Sequence, residues 1–191
     1  MARDPEATKA RLFEAAVQEF AQFGIEAARL DRIAEKARAN KQLIYRYFGD
    51  KRDLFDAVIA QAMNDLSQAI EVTPQDIPGY LEAIREYHRQ NPHVLRLLLW
   101  EALDGSRPAV VAEESRRDHY AGKTARFASA QQEGTIGAAI PPDILTLILL
   151  GLVNWPQAVP QMTELITGEG PGSDRLQAAT VEAATRITKR D

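Results

Sequence analysis

The 191-residue sequence predicts an all-α protein. Apolar residues recur at helical spacing in almost every segment, prolines fall where those segments begin or break, and no stretch alternates with period two over a useful length. Hydrophobic content of 45% and charged content of 26% suit a globular domain that buries a real core. The longest apolar run, 144–153, is about half the ~20 residues a membrane span needs, and the N-terminus carries no secretory pattern. With no cysteine there is no disulfide framework, thiolate metal site or Cys nucleophile. A cytoplasmic protein fits these features.

The elements follow in order. Leu12, Phe13, Ala16, Val17 and Phe20 make one stripe, which Asp4-Pro5 can start and Gly24 should stop. Leu30, Ile33, Ala34 and Ala37 mark a short second helix. After Arg38-Ala39-Asn40, a third carries Ile44, Tyr47 and Phe48, with Asn40 able to cap it. Gly49-Asp50 interrupts again, and Leu54 to Leu66 belong to a long fourth helix ending near Ile70. Pro74, Pro92, Pro108 and Pro141-Pro142 divide the rest into helices near 75–90, 92–103, 108–132 and 142–167. A last one covers 173–189, beyond the loop 168–172. The architecture expected is a small basic bundle joined to a larger acidic one.

Charge separates the two. Residues 1–52 hold eleven Lys/Arg against eight acids, a net +3, leaving −7 for 53–191. A basic head on an acidic body suggests that one end meets a polyanion. Within the head, two short helices joined by a tight turn suit a helix-turn-helix, whose second helix enters the major groove of DNA. With Ile44, Tyr47 and Phe48 toward the bundle, Lys41, Gln42, Tyr45 and Arg46 lie on the open side. Gln can pair bidentately with adenine, Lys can donate to guanine, and Tyr hydroxyls meet phosphates. Lys51 sits in the first turn of the next helix, where N–H groups and the helix dipole favour an anion.

The pattern Phe20-x-x-x-Gly24, Asp31-x-Ile33-Ala34, Leu43-Ile44-Tyr45-Arg46-Tyr47-Phe48 and Lys51-x-x-Leu54 resembles the N-terminal domain of tetracycline-repressor (TetR) family regulators over about residues 8–55. The resemblance implies a homodimeric transcription factor, usually a repressor. Residues 1–52 would be the helix-turn-helix domain, binding a pseudo-palindromic double-stranded DNA operator. Residues 53–191 would bind a small-molecule inducer and form the dimer. Carried over by position, Lys41, Gln42 and Leu43 are the base readers, and Tyr45, Tyr47 and Lys51 hold phosphates. Three departures stand out. Ala28-Arg29 replaces the hydroxyl residue that usually opens the second helix, weakening its cap by about 1 kcal/mol, although the Arg29 guanidinium can still reach a phosphate. Arg38 replaces the glycine of the turn, where a positive φ would be costly. Gln42 and Leu43 replace Gly and Thr, so base preferences do not carry over.

In the larger bundle, Leu145, Ile148, Leu149 and Leu152 form one dense stripe. Leu176, Ala179, Ala183 and Ile187 form another, with small residues that permit close approach. Both stripes can pair with a second subunit or pack inside one; the resemblance favours the dimer. Tyr80, Tyr87, Trp100, Tyr120, Phe127 and Trp155 are candidates to line an inducer pocket, with His88, Lys123 and Asn154 as polar anchors. That mixture suits a drug-like or metabolite ligand more than a highly charged one. No spacing matches a metal site, a phosphate loop or a nucleophile elbow, so neither a metal, a cofactor nor an enzyme is expected. The competing reading is a helical ligand- or protein-binding adaptor whose basic head does not recognise DNA sequence.

Overall fold

The computed structural model describes residues 4–105 and 110–190, and every regular element among them is a helix. In chain order these are α1 (Pro5–Ala27), α2 (Leu30–Lys36), α3 (Gln42–Phe48), α4 (Lys51–Ala69), α5 (Ile77–Gln90), α6 (His93–Leu103), α7 (Glu113–Gln132), α8 (Pro142–Ala158), α9 (Pro160–Thr167) and α10 (Asp174–Ile187). Pro108, expected to start a helix, lies outside the described residues. No single helix among those described is long and apolar enough to cross a membrane.

Two compact units emerge. The first, the head, comprises Met1–Asp65 with Asn91–Glu113, and the second, the body, Leu66–Gln90 with Glu114–Asp191. The head is therefore larger than the 1–52 segment expected from sequence: it takes in most of α4 and recruits α6, which packs chiefly along α1.

In the head, Asp4 caps α1, its Oδ1 accepting from the Glu6 amide at 3.0 Å, and Pro5 opens the first turn. Gly24 breaks the helix as expected, at φ 67°, although one further turn runs on to Ala27. The glycine meets a second demand. Trp100 of α6 lies so close that a Cβ at position 24 would sit 2.7 Å from its ring. The Trp100 indole N–H donates to the Ala21 carbonyl at 3.2 Å, and Arg96 Nε to the same oxygen at 2.7 Å. Phe20 and Phe55 meet edge to face at 5.1 Å, joining α1 to α4.

The body buries Ile77, Tyr80, Leu81 and Ile84 of α5 with Phe127 and Ala130 of α7, Leu145, Leu149 and Val153 of α8, and Ala184 of α10. One expected helix is two. Residues 142–167 bend by 89° between α8 and α9, at Val159-Pro160. Pro160 cannot donate an amide to the preceding turn but suits the first turn of a new helix. Thr163 Oγ1 ties the new helix back by donating to the Pro156 carbonyl at 3.0 Å.

Candidate functional site

The first candidate site is the outer face of α2–α4. The Glu19 carboxylate, buried on α1, accepts from the Arg29 amide at 2.9 Å and from Arg32 Nε at 2.7 Å. One buried acid thus anchors the start of α2, which has no side-chain cap of its own, as the missing hydroxyl residue predicts. Arg32 also lies 4.3 Å from the centre of the Phe23 ring. The turn that follows places Arg38 at φ 50°, the left-handed conformation a glycine would adopt at no steric cost. Asn40 Oδ1 then accepts from the Gln42 amide at 2.8 Å and starts α3.

α3 turns one face inward and one outward. Ile44 is fully buried and the Phe48 ring lies 6.1 Å from Phe13. Gln42, Tyr45 and Arg46 are exposed, as is Arg29 at the start of α2. Lys41 is half-buried, and its ammonium pairs with the exposed Asp31 at 3.1 Å. Leu43 and Tyr47 are also half-buried, and the Tyr47 ring lies edge-on to Phe48 at 6.3 Å. Four of the eight residues singled out for DNA contact thus stand open, and the other four are partly engaged in the fold.

At the start of α4 the expectation needs correcting. Asp50 Oδ1 accepts from the Arg52 and Asp53 amides at 2.7 and 2.9 Å, and Asp53 Oδ2 accepts from the Asp50 amide at 3.0 Å. This reciprocal cap occupies N–H groups that sequence reasoning had left for an anion. Lys51 Nζ donates instead to the Glu26 carbonyl at 3.2 Å. Even so, Tyr45 and Lys51 line one open groove together with Arg52, whose guanidinium is bound to Asp104 at the C-terminal end of α6. That bond raises the Arg52 pKa further. Arg52 and Asp104 are the pair that sequence reading missed. Their partnership spans 52 residues, and no local pattern announces it.

The second candidate site is in the body. Trp100 does not belong to it; its indole is committed to α1 in the head. Tyr80 and Phe127 are core, edge to face at 6.0 Å. Trp155 is more than half exposed, Tyr120 lies at the surface, and Tyr87 is half-buried. The polar anchors are more informative. Tyr80 Oη, His88 Nδ1 and Asn154 Oδ1 are buried; the hydroxyl has no hydrogen-bond partner among the described residues, whereas His88 and Asn154 lie against each other outside strict hydrogen-bond geometry. Burial pushes the Tyr80 hydroxyl up to about 12 and the His88 imidazole down to about 4, with Asn154 beside it opposing. Lys123 is buried with its ammonium 5.7 Å from the centre of the Tyr80 ring, and desolvation lowers its pKa.

A separate narrow cleft opens between α5, α8 and α10, lined by Leu81, Glu82, Leu152, Pro156, Leu176 and Val181 among others. Leu152 and Leu176, read from sequence as dimer residues, belong to this cleft. Leu145 and Leu149 also need reassignment: both are fully buried inside the unit and are not available to another chain. Ile148, Ala183 and Ile187 are half-buried and Ala179 is exposed. The outward stripe of α8 is instead Ile144, Leu147, Ile148, Gly151 and Trp155.

Comparison with known proteins agrees with this architecture. Residues 12–58 match the family "Bacterial regulatory proteins, tetR family", and residues 76–186 match "Tetracyclin repressor-like, C-terminal domain". The chain is 47% identical to the HTH-type transcriptional repressor SCO4008 of Streptomyces coelicolor, over 99% of each chain. It is 28% identical to the HTH-type transcriptional regulator RutR of Escherichia coli, over 95% of this chain and 88% of that one. The crystal structure of SCO4942 from Streptomyces coelicolor, described as a transcriptional regulator, superposes with a TM-score of 0.82 at 29% identity, covering 96% of this chain and 99% of that one. HlyIIR, a hemolysin II transcriptional regulator, shares the fold at 16% identity, with a TM-score of 0.67 over 94% of this chain and 98% of its own. The chain belongs to the TetR family of bacterial regulatory proteins.

Proposed function

We propose that this DNA-binding transcriptional regulator is a cytoplasmic repressor that grips a pseudo-palindromic operator as a homodimer and releases it when a small molecule enters the body. The observation that carries the DNA-binding half is α3, a seven-residue helix anchored by Ile44 and Phe48 that presents Gln42, Tyr45 and Arg46 to solvent. Exposed side chains near the start of such a helix reach base edges, and the flanking cations meet phosphates. Paired helices about 34–36 Å apart then meet successive turns of the groove, which a dimer supplies.

Gly151 supports the dimer. It lies mid-helix on the open face of α8, with nothing within 4 Å of the Cβ it lacks. An exposed helical glycine costs about 1 kcal/mol against alanine, which close approach of a second helix offsets. The orphaned Tyr80 hydroxyl supports the ligand half, because a buried polar group without a partner is costly until something bonds it. A molecule that is largely apolar and carries a hydrogen-bonding group suits it.

The test is selection from random duplex DNA at near-physiological salt. An enriched inverted repeat is the expected result, and enrichment of nothing would leave only a basic surface. On the selected site, Lys51→Ala should weaken all DNA binding and lower the salt slope by about one, whereas Gln42→Ala should relax preference at one base position. The same duplex, fluorescently labelled, then reports release during a screen of small apolar compounds.

A further inference from the structure

α9 is a well-made helix with its apolar side outward. Thr163 ties it to α8, and Gly168, at φ 73°, closes it by donating its amide to the Glu164 carbonyl at 2.8 Å. Yet Leu165 is 88% exposed, Ile166 74% and Met162 39%. Around the bend the same display continues on α8, with Leu147 at 67%, Trp155 at 54% and Ile144 at 45%. No charged residue occurs from Ile144 to Thr163. Isolated exposed apolar residues are ordinary, but a continuous set on two rigid helices marks an interaction surface.

The occupant follows from the arrangement. A lipid surface is disfavoured because the residues flanking the patch are Asp143, Glu164 and Glu169, where anionic headgroups attract Lys and Arg. A second copy is favoured because the α8 stripe is nearly symmetric about Gly151: Ile144 lies seven residues before it and the end of the helix seven after. A two-fold axis crossing α8 there sets the two copies antiparallel, with Gly151 permitting the approach. Seven residues of helix are about 10 Å, so the end of one α8 lies alongside Ile144 of the other. α9 leaves that end at 89° to α8, so an open face turned toward the two-fold axis crosses the partner's helix.

We propose that α9 is an arm that clasps the second copy, with Leu165 and Ile166 of one chain packing on Ile144 and Leu147 of the other, and the reverse by symmetry. This rests on the homodimer reading and adds to it an exchange of arms around the α8 crossing. Because all four side chains are exposed in the single chain, replacing them leaves the subunit's own core intact.

The absence of cysteine makes the geometry directly testable. Full-length Ile144→Cys and Leu165→Cys chains, mixed and treated with a short bis-maleimide, should give a covalent heterodimer, while neither variant alone cross-links as well. Efficient cross-linking of either variant to itself, or none in the mixture, would overturn the arm. In sedimentation equilibrium, Leu165→Glu with Ile166→Glu should weaken the dimer on the order of 100-fold with unchanged helical content. An undiminished dimer in that variant, alongside a monomeric Leu147→Glu chain, would remove the arm but keep the dimer. A wild-type chain that sediments as a 21.2 kDa monomer would remove both.

Discussion

The head and the body use their polar groups differently. In the head they are spent on holding short helices in place. Glu19 takes both the Arg29 amide and the Arg32 side chain, Asn40 starts α3, Asp50 and Asp53 cap α4 reciprocally, and Trp100 and Arg96 share the Ala21 carbonyl. In the body, Tyr80 buries a hydroxyl that nothing among the described residues bonds. A surface that reads DNA must hold a few side chains in fixed positions, so anchored and capped helices suit it. A surface that responds to a ligand must leave something for the ligand to satisfy. The difference is therefore between a face whose short helices are anchored and a core that leaves a polar group unsatisfied.

The largest expected effect would break the rigid side. Gly24→Val places a branched side chain at φ 67° and drives its Cβ into the Trp100 ring, which lies 2.7 Å from that position. Left-handed strain and overpacking each cost about 1–3 kcal/mol, so a loss of roughly 3 kcal/mol is expected in urea unfolding. Trp100 fluorescence follows the change where it occurs. A loss below about 0.5 kcal/mol would show that α6 does not lock α1, and the contrast with the body would lose its strongest support. The neighbouring case is milder: Arg38→Gly, at φ 50°, should stabilise the turn by less, because glycine also raises the entropy of the unfolded chain.

His88 tests the body through pH. Its imidazole titrates near 4 in the folded chain, against 6.5 when solvated, because burial disfavours the cation. Above pH 6.5 neither state binds a proton there. As pH falls from 6.5 to 4 the unfolded chain takes up a proton that the folded chain refuses, so stability drops across that window. The full drop is on the order of 2–3 kcal/mol. His88→Gln should flatten the stability curve between pH 6.5 and 4 relative to wild type. An equally steep curve would place the unfavourable protonation elsewhere.

Sequence periodicity carried the helices because each amphipathic stripe is a local property. It also carried the open face of α3 and the strain at Arg38, since both follow from a few consecutive residues. It failed where two distant segments decide the outcome. Trp100 looked like a pocket aromatic, yet its partners are Ala21 and Gly24, more than seventy residues away. Arg52 and Asp104 gave no signal for the same reason. α8 misled in another way. From Ile144 to Val153 it is apolar on almost every side, so spacing could not tell the buried Leu145 and Leu149 from the exposed Leu147. The break at Pro160 was hidden by the same uniformity, which made 142–167 read as one helix.

The smallest expected effect separates a ligand contact from a packing fault. Tyr80 is 1% exposed, its ring packs on Phe127, and its hydroxyl has no partner among the described residues. Tyr80→Phe keeps the ring and removes the unbonded oxygen. Without ligand the variant should gain about 1 kcal/mol, because an unsatisfied buried polar group costs that much or more. A compound that releases wild-type protein from its selected duplex should bind the variant more weakly, since one of its hydrogen bonds is gone. The two shifts have opposite signs, and only a group held unsatisfied for a ligand produces both. A variant that is stabilised but binds the releasing compound as well as wild type would make the orphaned hydroxyl a mere defect of the core. A variant that is destabilised would mean that an ordered water already bonds it, and the hydroxyl would then be no orphan.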